Sequence, residues 1–141
     1  MIKTFRGLLA DGGSERIRLS TNNGLTGYKV IKFQGIQNTP GTGQSVEAVM
    51  KLDTTDKTKN GTVAVDNIVD FRSPTLIGVV YYQDNNGTAE LSNETIIFDS
   101  MIFNQDIFIT HIDSDGAVPM NYYLELEQVK LSENEATVAT L

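Results

Sequence analysis

The sequence predicts an all-β domain, an antiparallel β-sandwich of jelly-roll type with at most one short C-terminal helix. Three observations predict it. Short apolar runs repeat along the whole chain, separated by glycine- and asparagine-rich punctuation. Several of those runs alternate apolar and polar residues with a period of two. The punctuation itself, Asp11-Gly12-Gly13, Asn22-Asn23-Gly24, Asn60-Gly61, Asn85-Asn86-Gly87 and Asp115-Gly116, supplies residues that reach positive φ at low steric cost, as tight strand connections require.

Nine candidate strands follow in order: Met1–Leu9, Glu15–Ser20, Gly27–Ile36, Ser45–Leu52, Thr62–Phe71, Thr75–Gln83, Thr88–Phe98, Asp106–Ile112 and Met120–Leu131. The clearest alternation sets Val46, Ala48, Met50 and Leu52 against Glu47, Val49 and Lys51, placing one face on a core. In the third candidate, Tyr28 and Val30 give way to Ile31 and Phe33, a phase slip that predicts a β-bulge. A similar slip after Tyr122, Leu124 and Leu126 predicts a second bulge near Glu127 or Gln128. The best hairpin places Asp84-Asn85-Asn86-Gly87 between two apolar runs. Residues 38–43 and Asp53–Asn60 read as longer exposed loops. Ser132-Glu133-Asn134-Glu135 has the spacing of a capping box, so a short helix starts there, and a segment this brief must lie on something to be ordered.

With 141 residues and 15.5 kDa, the chain is expected to form a single domain, residues 1–141, around one core. Eighteen acidic residues against eleven basic ones give a formal charge of −7, which repels phosphate backbones and anionic lipid heads, so neither nucleic acid nor a membrane is an expected partner. The absence of cysteine removes disulfides, thiolate metal sites and cysteine nucleophiles. Met1-Ile2-Lys3-Thr4-Phe5-Arg6 lacks the apolar run of a signal peptide, and no stretch approaches the roughly 18 apolar residues of a membrane span. Use without Sec export is the expectation. The sequon-like triplets at Asn60, Asn86 and Asn93 then read as turn chemistry rather than glycosylation acceptors.

Each residue that could carry chemistry has a structural reading that outweighs it. His111 is the only histidine and shares a strand face with Ile107 and Ile109, which fits a core or edge position better than a general base. Asp113-Ser114-Asp115-Gly116 resembles the opening of a calcium loop, making Asp113 and Asp115 weak cation candidates, but the later glutamate is missing and a turn needs the same residues. Glu125 and Glu127 share one strand face, whereas glycosidase carboxylates normally face each other across a cleft; a solvated face fits them better. Gly41-Thr42-Gly43-Gln44-Ser45 lacks the lysine of a phosphate loop. Lys3, Arg6, Arg16 and Arg18 form the one basic concentration, available to an acidic partner or to solvent. Tyr81-Tyr82 and Tyr122-Tyr123 offer rings for sugar stacking but are equally good strand residues. No catalytic residue, cofactor or resident metal is assigned, and an enzyme is not expected.

Two passages of the chain resemble small virion structural proteins of marine tailed bacteriophages. The first runs from Gly7-Leu-Leu-Ala-Asp-Gly-Gly13 through Leu19-Ser-Thr-Asn-Asn-Gly-Leu-Thr-Gly-Tyr-Lys-Val-Ile-Lys-Phe33. The second comprises Phe103-Asn-Gln-Asp-Ile-Phe-Ile-Thr-His111, Asn121-Tyr-Tyr-Leu-Glu-Leu-Glu-Gln-Val-Lys-Leu131 and Asn134-Glu-Ala-Thr-Val-Ala-Thr-Leu141. The resemblance covers about half the chain, brings nothing for 34–101 and transfers no catalytic residue. It implies a non-enzymatic capsid accessory or decoration subunit, made in the host cytoplasm and resident in the virion, with the major capsid protein or other virion proteins as partners and a homo-oligomeric state. Residues 1–9 and 132–141 are the expected contact arms, with Ile2, Phe5, Arg6, Arg16, Arg18, Val138 and Leu141 as the expected interface residues. A carbohydrate- or receptor-binding β-sandwich is the alternative, motivated by exposed tyrosines and polar loops.

Overall fold

A computed structural model describes residues 1–21, 23–41, 44–84, 91–98 and 102–140. Eight strands and one helix follow in order: β1 (Ile2–Leu9), β2 (Ser14–Ile17), β3 (Thr26–Gln37), β4 (Val46–Asp53), β5 (Leu76–Asp84), β6 (Leu91–Ile97), β7 (Ile107–Asp113), β8 (Met120–Lys130) and α1 (Glu133–Thr140). They form a three-stranded sheet, β1-β8-β3, and a five-stranded sheet, β2-β7-β4-β5-β6. Every pairing within them is antiparallel. First strand pairs with last and second with next to last, so the chain winds between two packed sheets as a jelly roll does. The expected Asn85-Asn86-Gly87 turn, the Thr88 start of the seventh candidate strand, Asn22, Thr42-Gly43 and Leu141 lie outside the described residues.

The core lies between the two inner faces. Val46, Ala48, Met50 and Leu52 of β4 are buried, as their alternation predicts, and meet Phe33, Met120, Leu124 and Leu126 of the smaller sheet. Gly35 lets the sheets close, because a Cβ there would collide with the buried Met50 Cε. The β3 slip is a true bulge. Val30 pairs with Leu126 and Lys32 with Glu125, leaving Ile31 as the extra residue, turned to solvent at 43% exposure.

The second expected bulge is absent from β8. Its pairing with β3 continues unbroken from Leu126 through Lys130, so the alternation of β8 keeps its phase, with Gln128 beside buried Tyr28 and Val129 on the opposite face. Leu131 is buried beyond the strand end, where its amide bonds the Leu25 carbonyl. Thr62–Phe71 is not a strand either. Its alternation suits one, but both edges of β4 are already taken by β5 and β7, and the segment forms no ladder. It runs instead across the outer face of the larger sheet.

β2 ends at Ile17, earlier than expected, because the amides of Leu19 and Ser20 turn to the Asp106 carboxylate at 2.7 and 2.8 Å. The capping box forms as its spacing predicts: Ser132 Oγ accepts from the Glu135 amide at 3.2 Å, and the Ser132 amide donates to Glu135 Oε1 at 3.0 Å. α1 lies on the domain through Ala136, which is buried and whose carbonyl accepts from Asn104 Nδ2.

Candidate interaction surfaces

β1 is an edge strand, bonded to β8 on one side only. Its register turns Ile2, Thr4, Arg6 and Leu8 to the outer face and Lys3, Phe5, Gly7 and Leu9 inward. Ile2 and Leu8 are 50% and 53% exposed, while Phe5 packs on the core and Lys3 Nζ sits 5.8 Å from the centre of the Tyr28 ring. The Met1 carbonyl accepts from the Gln128 amide, so the start of β1 lies beside the end of β8, from which α1 departs. Val138 on α1 is 70% exposed, near Ile102 and Leu131.

Of the expected interface residues, Ile2, Arg6 and Val138 are therefore open to a partner and Phe5 is turned inward. Arg16 is committed, its Nε donating to Asp106 Oδ2 at 2.7 Å with its guanidinium over the Phe108 ring. Arg18 is exposed but lies past the end of β2, so it does not share a strand face with Arg16. Burial pushes the Asp106 carboxyl up, but the amides of Ser20 and Leu19 and the Arg16 guanidinium outweigh it and hold it at about 2.

The residues read for chemistry are occupied structurally. His111 is fully buried and its Nε2 lies 2.9 Å from the Val118 carbonyl, which requires the proton on that nitrogen. The Asp113 carboxylate accepts the amides of Glu47, Asp115, Gly116 and Val118, the bonds that close its turn. Burial pushes it up, yet those amides hold it below the usual range. Both Asp113 carboxylate oxygens are therefore directed at amides. Among the described residues no three acidic, histidine or cysteine groups converge as a metal would need. Glu125 and Glu127 face solvent beside Lys32 and Lys29. Tyr82 and Tyr122 are buried, Tyr122 donating to Glu15 Oε2 at 2.6 Å, and burial followed by that carboxylate pushes its phenol up. Only Tyr81 and Tyr123 of the two pairs keep partly open rings.

One site escaped the sequence reading. The connection 54–75 folds over the outer face of the larger sheet, shaped by aspartates that accept the amide two residues on: Asp53 from Thr55, Asp56 from Thr58, Asp66 from Ile68 and Asp70 from Arg72. Asp56 Oδ2 also takes the Asn60 amide, holding Lys59, Asn60 and Gly61 at φ of 49°, 59° and 83°. Lys51 clamps the segment from below, its Nζ donating to Asp66 Oδ1 at 2.7 Å and the Ile68 carbonyl at 2.8 Å. A cleft of about 340 Å³ remains beneath it, floored by Lys51, Asp53, Leu76 and Thr110 and walled by Val65 and Ile68. The spacing of aspartate to the second following residue was the available signal.

The fold and these surfaces define an all-β sandwich with an open, basic edge strand and a polar cleft on its broader sheet. No protein-family model matches the chain, and no curated protein does. It is similar to a solved structure from Bacteroides thetaiotaomicron, placed provisionally among the glycoside hydrolases by its description, with 14% identity and a TM-score of 0.33 over 85% of this chain. The chain spans 41% of the length of that protein. No helix among the described residues is long and apolar enough to cross a membrane.

Proposed function

We propose that this protein is a non-enzymatic structural subunit of a virion, a capsid accessory or decoration protein that grips other capsid proteins through β1 and the neighbouring terminal segments. The single observation that supports this most is the free edge of β1. It presents an unpaired backbone rail, exposed Ile2 and Leu8, and two basic residues with no acid, in a chain of net charge −7. A strand of eight residues adds only a few backbone bonds, each worth about 1 kcal/mol net, so the edge gains useful affinity when many copies bind one lattice. Arg6 on the same outer face favours an acidic acceptor. The sequence resemblance to virion proteins supports the same reading.

The test is co-sedimentation of the recombinant chain with purified virions of the virus that encodes it, alongside its mass by light scattering. Binding to particles is expected, and an Ile2→Asp, Leu8→Asp double variant binds about tenfold more weakly or worse. A monomer that never sediments with particles overturns the proposal.

A further inference from the structure

We propose that β1 pairs with β1 of a second copy of this chain about a two-fold axis at Phe5, joining two three-stranded sheets into one of six strands. The proposal rests on the reading of β1 as the docking edge and adds what holds that edge before a particle is met. The Gln128 amide donates to the Met1 carbonyl and the register then runs unbroken to Leu9, so Lys3, Phe5, Gly7 and Leu9 aim their backbone groups at β8. Ile2, Thr4, Arg6 and Leu8 therefore aim theirs at the free edge. The same four side chains lie on the outer face and are exposed.

An antiparallel copy meets this edge along its whole length when Ile2 stands opposite Leu8 and Thr4 opposite Arg6, each pair occurring twice across the axis. All four outward residues then exchange backbone bonds, and Phe5 faces its own copy in a close pair on the inner side. Ile2 and Leu8, 50% and 53% exposed in one copy, cover each other. Neighbouring registers are worse. An axis at Thr4 sets Ile2 against Arg6 and leaves Leu8 beyond the end, while an axis at Arg6 sets two guanidinium groups directly opposite each other. Charge favours the same register. Arg6 enters none of the ion pairs among the described residues. In the Phe5-centred pair it shares a cross-strand row with Glu125 of the second copy, with only the short Thr4 between them. Two strand spacings are about 10 Å, a distance that an arginine and a glutamate side chain span together. Glu125 is held only loosely at home, 3.7 Å from the Lys32 ammonium. Each copy thus supplies the acid that Arg6 of the other lacks. An edge contact of this size corresponds to a weak dimer, with Kd of about 10 to 100 μM. The pair opens when β1 seats on a capsid protein, because both contacts use the same backbone groups.

The experiment is sedimentation velocity of the full chain alone, from about 1 to 500 μM in about 150 mM salt. Conversion from monomer to dimer across that range is expected. Thr4→Pro removes one outward amide from each copy and no bond to β8. It is expected to raise the dissociation constant about tenfold or more while the melting temperature stays within a few degrees of the parent. The chain has no cysteine, so single cysteines report the register. Under mild oxidation Phe5→Cys is expected to link two copies about ten times faster than Thr4→Cys or Arg6→Cys, because only residue 5 faces itself across the axis. A parent that stays monomeric at about 500 μM overturns the proposal. So does a dimer that Thr4→Pro leaves intact, or one that links fastest through residue 4 or 6. If any of these variants does not fold, the parent and the Ile2→Asp, Leu8→Asp double variant decide in the same way. A monomeric parent that still sediments with virions removes the self-pairing and leaves the capsid contact standing, whereas a dimer that ignores virions does the reverse.

Discussion

Single aspartates do much of the local shaping in this chain, and they do it by accepting backbone amides. Asp106 is the most consequential: one carboxylate ends β2 by binding the Leu19 and Ser20 amides and fixes Arg16 over Phe108. Its pKa falls from 3.8 in the unfolded reference to about 2 in the fold, a shift that corresponds to about 2 kcal/mol. Because the folded value is the lower one, that stabilisation is complete above about pH 4 and is lost as pH falls toward about 2. Asp106→Ala is expected to lower stability at neutral pH by about 2 to 3 kcal/mol and to flatten the loss of stability between about pH 4 and 2, both read from urea midpoints across pH. A variant that loses no stability at neutral pH contradicts this assignment. Such a role could not be read from the sequence. Asp106 and Arg16 are 90 positions apart, and only the β2–β7 pairing brings them together.

At the level of elements, alternation was legible and its partners were not. The β4 pattern named its buried face correctly because β5 and β7 fill both its edges, leaving one face to pack on the smaller sheet. The Ile31 slip likewise announced a bulge, since period two cannot change phase without an extra residue. Deleting Ile31 removes only the extra residue, so Val30 runs straight into Lys32 with both β8 partners unchanged and Tyr28, Val30 and Phe33 still turned inward. The deletion and Ile31→Ala, at an exposed position, are therefore each expected to cost under ~2 kcal/mol in thermal melts followed by circular dichroism. A loss above ~3 kcal/mol on deletion alone would show that the bend made by the bulge, and not only the pairing around it, holds the sandwich together. The same alternation misled at Thr62–Phe71, because β-propensity reports how a segment suits a sheet and not what else can hold it: Lys51 and the aspartate turns at Asp66 and Asp70 fix it outside any ladder. The cleft was hidden for that reason: its floor lies on strands that looked correct and its roof on a segment that looked like another strand.

Across the whole molecule, the winding makes the two ends of the chain interdependent. β8 is the middle strand of the smaller sheet, holding β1 on one side and β3 on the other, so the first half of the chain cannot complete its core until the last strand arrives. Met120, Tyr122, Leu124 and Leu126 enter the core from β8, and burying side chains of that size contributes about 1.5 to 3 kcal/mol each. Such non-local pairing favours folding in milliseconds to seconds rather than microseconds. α1 stands outside this closure. Its main hold on the domain is Ala136, and Glu133, Asn134, Glu135 and Val138 are exposed. Truncation after Ser132 is therefore expected to keep a cooperative melt with a loss of about 1 to 2 kcal/mol, while truncation after Pro119 leaves a chain without one. If the longer truncation still melted cooperatively, β8 would not be the strand that closes the sandwich. If the shorter one abolished folding, α1 would belong to the core and not to the surface from which partners are bound.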